Sequence, residues 1–318
     1  MNCCSASVGS PWTWIPRGST SRRTEPNPGP TLTPCRPYGG APRSSSAIRR
    51  TPIRWYGGRQ LRAWASSSTT AHGRWNACAL EQGGLDLPDI FGRFQRWAAS
   101  EPKDIGLQTE DVLTNGMPWD LAAAIHFQVN QRAAGNGSLM RASTSAVHFA
   151  AAGQEATMDA ARRIAALTHG DRAAWEGTAI FHELIRVTFE DTDPVAALPD
   201  ILAHVHPDHR SRYATVLAPD WHPDQATEFN GAVWPCLGSA VWALRTTTSF
   251  EDAIRAAIDL GGDTDTVAAV AGGLAGAYYG LDAIPARWAQ PVHVPLPGFD
   301  GRVLHLADLL LLAHRLGG

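Results

Sequence analysis

The 318-residue chain is short of several things that would place it at once. No apolar run reaches the roughly 18 residues of a membrane-spanning helix; "VAAVAGGLAGAYYG" and "HLADLLLLAH" are shorter and read as buried helices. Cysteine is scarce, with five residues: Cys3 and Cys4 are adjacent, the others are scattered without metal-ligand spacing, and Cys236 reads as a buried apolar residue. The start lacks a basic segment leading into an apolar core, so no secretory signal is expected and a reducing, cytoplasmic location fits. No internal repeat is visible. The most one-sided shortage is of acid at the front: residues 1 to 80 hold a single acidic residue, Glu25, with no Asp and no Lys, beside eleven Arg and five of the twelve Trp. That segment carries a net charge near +10, whereas residues 81 to 318 carry about −13. The acidic balance of the longer part argues against nucleic acid as a main partner. Its 238 residues are enough for one substantial core.

What is present is a dense motif at residues 261–280, "GGDTDTVAAVAGGLAGAYYG". Asp263 and Asp265 would point to different sides of a regular helix, so they belong to a turn or to a first helical turn, and Gly261 and Gly262 permit such a turn. Upstream, "SFEDAIRAAIDL" repeats Ala253, Ile254, Ala257 and Ile258 at helical spacing, with Ser249 and Asp252 placed as a capping box. The spacing predicts helix, glycine break, acidic turn, helix. Two carboxylates this close repel, and a divalent ion relieves the repulsion. Oxygen donors with no Cys or His nearby favour Mg²⁺, Mn²⁺ or Ca²⁺ over zinc. Simple capping of the second helix is the competing reading. Two aspartates one residue apart also open the nucleophile motif of haloacid dehalogenase-like phosphatases, but that motif follows a buried strand early in its domain, and this one follows an amphipathic helix near the end. Beyond it, Gly272, Gly273, Gly276 and Gly280 each cost a helix about 1 kcal/mol relative to Ala, which points to close approach by another backbone or a ligand.

The rest of the chain reads as all-α. "DLPDIFGRFQRWAAS" places Ile90, Phe91, Phe94, Trp97 and Ala98 on one face with Pro88 near the start. "DRAAWEGTAIFHELI" opens on a capping Asp171 and spaces Trp175, Ala179, His182 and Ile185 helically. No alternating pattern calls for a substantial sheet, and "HPDHR" and "WHPDQ" read as short loops between helices. Taken alone, His169 before Gly170 reads as a helix-ending residue complementing the helix dipole, and Arg141 as a surface or cleft-rim charge.

"LGGDTDTVAAVAGGLAGAYYG" followed by "IPARW" resembles the C-terminal signature of the ADP-ribosylglycohydrolase family, whose namesake removes ADP-ribose from a nitrogenase component. Four further blocks resemble the family in its order: "EPKDIGLQT" at 101–109, "AGNGSLMRAS" at 134–143, "ALTHGD" at 166–171 and "NGAVWPCLGSAVWALRTTTSFEDAI" at 230–254. The resemblance implies a compact all-α domain that holds two Mg²⁺ or Mn²⁺ ions in a cleft for ADP-ribose or an ADP-ribosylated protein. Carried over by position, Asp263 and Asp265 would be carboxylate ligands and Thr266 a hydroxyl or backbone ligand. Gly135, Asn136, Gly137, Ser138 and Met140 match the loop that would cradle the distal ribose and diphosphate, and His169 matches a substrate-contacting His. The implied reaction is hydrolysis at the anomeric carbon, through a transition state with oxocarbenium character.

The front departs from that pattern. The resemblance calls for an early Gly-Asp-Ala-x-Gly segment and a Thr-Asp-Asp motif, which would complete the metal site and supply the candidate acid or base. Where Thr-Asp-Asp is expected the chain reads "WASSSTTAHGRW", and no helical face emerges between Gly57 and Cys78. A basic arm and a disordered tail are two ways to read residues 1–78. The third, which the composition favours, is text translated in a shifted frame or from a wrong start, with the family domain resuming at 79–318 without its N-terminal part. The chain as written would then be a metal-dependent hydrolase impaired by loss of half its metal site, or a non-catalytic ADP-ribose-binding or structural relative.

Overall fold

The computed structural model describes residues 84–102, 105–295 and 303–317, and within them the chain is built almost wholly of helices. The first, α1 (Leu87–Ala98), starts where expected: Asp86 accepts a hydrogen bond from the Asp89 amide at 3.0 Å, and Pro88 occupies the first turn, where no amide partner is required. It buries Ile90, Phe91, Phe94 and Trp97, as the spacing predicts, while Ala98 is half-buried. Each such side chain contributes roughly 1.5–3 kcal/mol by leaving water.

There follow α2 (Leu107–Thr114), α3 (Ala122–Val129), the single turn α4 (Gly137–Met140), α5 (Ser143–Phe149) and α6 (Gln154–Ala166). Helix α7 (Arg172–Thr188) runs through the interior, with fourteen of its seventeen residues buried, and packs on α5, α6, α10 (Val233–Thr246) and α12 (Thr264–Tyr279). Asp171 caps α7 by accepting from the Ala173 amide at 2.8 Å. The predicted face of α7 is correct for Ala179, His182 and Ile185, but Trp175 is half-buried and the helix is covered on nearly every side. Helices α6 and α7 are clamped by Arg162, whose Nε and Nη2 reach both carboxylate oxygens of buried Glu176 at 3.0 and 2.9 Å.

Helix α8 (Leu198–Ala203) and α9 (Pro207–Val216) connect α7 to α10. Here the loop expectation fails: "HPDHR" opens α9, because Pro207 sits in its first turn and His206 caps it. "WHPDQ" holds a 3-10 turn at Pro223–Gln225. Helix α11 (Phe250–Asp259) is capped by Ser249, which accepts from the Asp252 amide at 3.1 Å, and it buries Ala253 and Ala257 while Ile258 stays largely exposed. The backbone then turns left-handed at Gly261 (φ 71°) and Gly262 (φ 74°), and Asp263 leads into α12. Helix, glycine break, acidic turn and helix come in the predicted order. The expected close approach along the glycine-rich helix occurs at Gly273, where a Cβ would lie 2.4 Å from Ser143 Oγ and 3.0 Å from Phe181 Cζ. Beyond α12 come the short α13 (Ala286–Ala289), a two-stranded antiparallel ribbon of β1 (His293–Pro295) and β2 (Val303–His305), and α14 (Leu306–Leu316). None of the described helices is long and apolar enough to cross a membrane. The 1–78 segment and its expected motifs lie outside the described residues.

Candidate functional site

The fold brings together blocks that are far apart in sequence. The loop before α4 lies against the segment before α10: Asn136 N donates to Gly231 O at 2.9 Å, Val233 N donates to Ala134 O at 3.0 Å, and Gly135 and Ala232 form an antiparallel bridge. From that loop, the Asn136 side-chain amide donates to Asn230 O at 3.0 Å and to Asp263 Oδ2 at 2.8 Å. Asn230 completes the clasp, accepting from the Asp263 amide at 2.8 Å and donating to Gly261 O at 2.9 Å. Although Asp263 stands at the N-cap position of α12, its side chain makes no capping bond, and its carboxylate is turned to Asn136 instead. Asp265, in the first turn of α12, is exposed and makes no side-chain hydrogen bond among the described residues. Thr266 is buried, and its hydroxyl lies 3.8 Å from Met140 Sδ, so a predicted metal residue touches a predicted loop residue.

On its other side the loop faces the turn after α6. A Cβ on Gly135 would come 3.5 Å from His169 Nε2 and 3.0 Å from Gln108 Oε1; one on Gly137 would meet Thr109 Oγ1 at 3.2 Å and His169 Cε1 at 3.3 Å. At Gly137 a Cβ would crowd the imidazole edge, whereas at Gly135 it would crowd Gln108. His169 lies past the end of α6, buried, with Nδ1 2.8 Å from Thr168 Oγ1 and its carbonyl accepting from Trp175 Nε1. Burial holds its pKa well below the ordinary histidine range, reinforced by the positive charge of Arg141 and by His126. Ser138 is turned inward, its Oγ 3.1 Å from Thr178 Oγ1 of α7.

Arg141 corrects the expectation of a surface charge. It is one of the largest fully buried side chains, and it donates to Gly137 O at 2.9 Å and to Thr168 Oγ1 at 2.6 Å. Cys236 is buried and free, as read from the sequence, and burial pushes its thiol pKa up. Two side chains that the motif reading did not single out hold the arrangement together. Asn230 belongs to an Asn-Gly turn dipeptide, a signal that could have drawn attention to it. Gln108 donates to Ala133 O at 3.0 Å and Thr168 O at 3.2 Å, tying α2 to both loops, and no local pattern marks it.

A family model described as ADP-ribosylglycohydrolase matches residues 3–317. The chain belongs to the ADP-ribosylglycohydrolase family. It is similar to ADP-ribosylarginine hydrolase Tri1 of Pseudomonas putida (strain GB-1), at 28% identity over 220 residues, covering 67% of this chain and 58% of that protein. It is also similar to the ADP-ribosyl-(dinitrogen reductase) glycohydrolase of Rhodospirillum rubrum, at 26% identity over 209 residues, covering 65% of this chain and 66% of that one. The chain thus spans less than two thirds of the length of either curated relative. A solved structure titled "ADP-ribosylglycohydrolase-related protein complex" superposes with a TM-score of 0.64 at 27% identity, over 82% of this chain and 97% of that one. The expected all-α architecture is therefore that of an ADP-ribosylglycohydrolase-related protein.

The donor chemistry of Asp263, Asp265 and Thr266 fits a hard divalent cation. Two carboxylates and a hydroxyl are an ordinary protein share of an octahedral Mg²⁺ shell, in which water and a ligand's phosphate oxygens take the remaining places. Among the described residues no three His, Cys, Asp or Glu side chains gather as a metal cluster. A groove of about 390 Å³ lined by Arg162, Arg163, Trp175, Glu176 and His204 among others shares none of the motif residues.

Proposed function

We propose that the junction of the Gly135–Met140 loop, His169 and the start of α12 binds ADP-ribose, as the free nucleotide or on a modified protein side chain. The observation that carries this reading is the Asn136–Asp263 hydrogen bond, 2.8 Å long across 127 positions of sequence, which fastens the glycine loop to the acidic turn. The bare backbone of Gly135 and Gly137 admits phosphate oxygens to the loop amides. Asp263, Asp265 and Thr266 would hold a divalent ion over the distal ribose, and such an ion, when bound, orients hydroxyls and lowers the pKa of water. Asn136 keeps the Asp263 carboxylate aimed, and His169 offers its ring edge to the ligand. The relatives named above act, by their names, on ADP-ribosylarginine and on ADP-ribosyl dinitrogen reductase, so an arginine-linked ADP-ribosyl group is the first conjugate to offer.

We propose further that this chain hydrolyses such conjugates slowly or not at all, because residues 1–80 contain no Asp and so no Thr-Asp-Asp. The family match takes in residues 3–80 as well, a stretch that holds one acidic residue. The second reading, a non-catalytic ADP-ribose binder, is favoured by the same lack of Thr-Asp-Asp. Calorimetric titration of the purified chain with ADP-ribose, with and without Mg²⁺ or Mn²⁺, tests the junction: metal-dependent binding is expected, and none would end the binding reading. Robust Mg²⁺-dependent release of ADP-ribose from a modified protein would overturn the loss of activity. Resequencing the codons for residues 70–85 tests the frame, and the shifted-frame account fails if no frame encodes Thr-Asp-Asp.

A further inference from the structure

Arg141 is a buried cation with no acidic partner among the described residues. Nη1 donates to Gly137 O at 2.9 Å; Nη2 donates to Thr168 Oγ1 at 2.6 Å and lies 3.5 Å from Ile164 O; the guanidinium sits 4.9 Å from the centroid of the Phe94 ring. Its Nε has no hydrogen-bond partner among the described residues. Burial lowers its pKa to about 9, which still leaves it charged at neutral pH. Such a charge is expensive to bury without compensation, so the groups it faces matter.

It faces Thr168, and Thr168 faces His169. A hydroxyl carries one proton. Since Thr168 Oγ1 accepts from Arg141, its own proton is free for an acceptor, and His169 Nδ1 lies at 2.8 Å. Were the imidazole proton on Nδ1 instead, the buried Thr168 hydroxyl proton would have no acceptor among the described residues, and an N–H would point toward the arginine cation. With Nδ1 accepting, the ring proton sits on Nε2. The other charged or titratable groups around the ring are Arg141, at the end of α4, and His126 of α3, which pairs with Asp111 of α2; both oppose an imidazolium at 169. Nε2 would be 3.5 Å and 3.4 Å from Cβ atoms on Gly135 and Gly137, and it has no hydrogen-bond partner among the described residues.

We infer that Arg141 and Thr168 are positioning residues that lock His169 as a neutral imidazole with Nε2–H presented to the Gly135–Gly137 loop, where it donates to a phosphate oxygen while the buried guanidinium offsets that anion's charge. The ligand half of this inference rests on the reading of the loop as a diphosphate cradle; the tautomer half does not need a ligand. Neither can be read from the loop sequence alone, because the relay runs through a side chain whose type normally marks a surface.

The full chain labelled with ¹⁵N-histidine, observed by long-range ¹H–¹⁵N correlation, reads the tautomer directly, with His169→Gln identifying the ring's signals. The expected spectrum is neutral and Nε2-protonated, unchanged from pH 8 to about pH 5.5. Thr168→Val, nearly isosteric, removes the donor to Nδ1, and the pattern should shift toward the other tautomer; Thr168→Ser should restore it. In titrations with inorganic pyrophosphate and with ADP-ribose, Thr168→Val should bind about tenfold more weakly and Thr168→Ser within about twofold of the parent, the scale of one hydrogen bond to a charged group. An Nδ1–H or doubly protonated ring at pH 7 in the parent, or an unchanged tautomer in Thr168→Val, overturns the lock. A shifted tautomer with unchanged affinity for both ligands overturns the phosphate contact. A parent with the expected tautomer that binds neither ligand overturns the phosphate contact and the cradle reading together.

Discussion

The Asn230 clasp makes a quantitative prediction that depends on two substitutions failing to add. Gly262 has φ +74°, and a Cβ there would lie 2.4 Å from Asn230 Oδ1 and 2.9 Å from Nδ2. Gly262→Ala therefore imposes a left-handed backbone penalty of about 1–2 kcal/mol and displaces an amide that makes two hydrogen bonds worth about 1 kcal/mol each, for a total of about 3–4 kcal/mol. Asn230→Ala alone should cost about 2 kcal/mol, the same two bonds. In the Asn230→Ala background the obstruction is gone, because the three nearest atoms to that Cβ all belong to Asn230, and only the backbone penalty remains. The double variant should then lose about 3–4 kcal/mol, not the 5–6 of the sum, a coupling near 2 kcal/mol. Urea unfolding of the parent, both singles and the double at 25 °C measures the cycle. Additivity to within about 0.5 kcal/mol would refute the claim that one amide both obstructs residue 262 and pins the acidic turn.

Three further outcomes are expected from other parts of the molecule. Asp265→Asn should weaken Mg²⁺ binding by calorimetry with little change in the urea midpoint, since Asp265 is exposed and makes no side-chain hydrogen bond among the described residues; equal Mg²⁺ affinity in variant and parent would remove it from the ligand set. Burial drives the His182 pKa down to about 3, so the unfolded chain takes up a proton there below pH 6.5 while the folded chain does not, and stability should fall as pH drops toward 3. From pH 6.5 to 5 that single group costs about 2 kcal/mol, and His182→Gln should reduce the pH slope of the urea free energy by about one proton; an unaltered slope contradicts it. Glu176→Ala strips the buried partner from Arg162 and should cost about 3 kcal/mol in urea unfolding, while Arg162→Met with Glu176→Leu should recover part of that loss; a single variant as stable as the parent would show the clamp to be idle.

The parts of this fold that are legible in the sequence are those written locally. The α1 face, the Ser249 cap and the glycine break before Asp263 each come from residues within one or two turns, where 3.6-residue spacing and cap chemistry act directly. "HPDHR" reads as a loop yet opens a helix, because the same Pro that ends structure also suits a first helical turn, and the choice between the two is made by the residues after it. The clasp is out of reach for another reason: Asn230 meets Gly261 and Asp263 across 31 and 33 positions, and no short-range pattern encodes a side-chain amide bonding to a distant backbone. Arg141 inverts the usual rule that charge marks surface, which holds on average because burying a cation is costly. Its exception coincides with the candidate site, where such costs are most often tolerated.

The bridge of residues 134–136 to 230–233, and of Asn136 to Asp263, also sets when the joined loop and turn can first exist. A polypeptide emerging from the ribosome presents the glycine loop long before the acidic turn it closes on. Nascent chains interrupted between residues 189 and 262 would contain the whole of α6 and α7 yet have an open loop. If the loop and turn bind ADP-ribose as proposed above, retention on the immobilised ligand would count finished molecules, whereas helix content would count every helix already made.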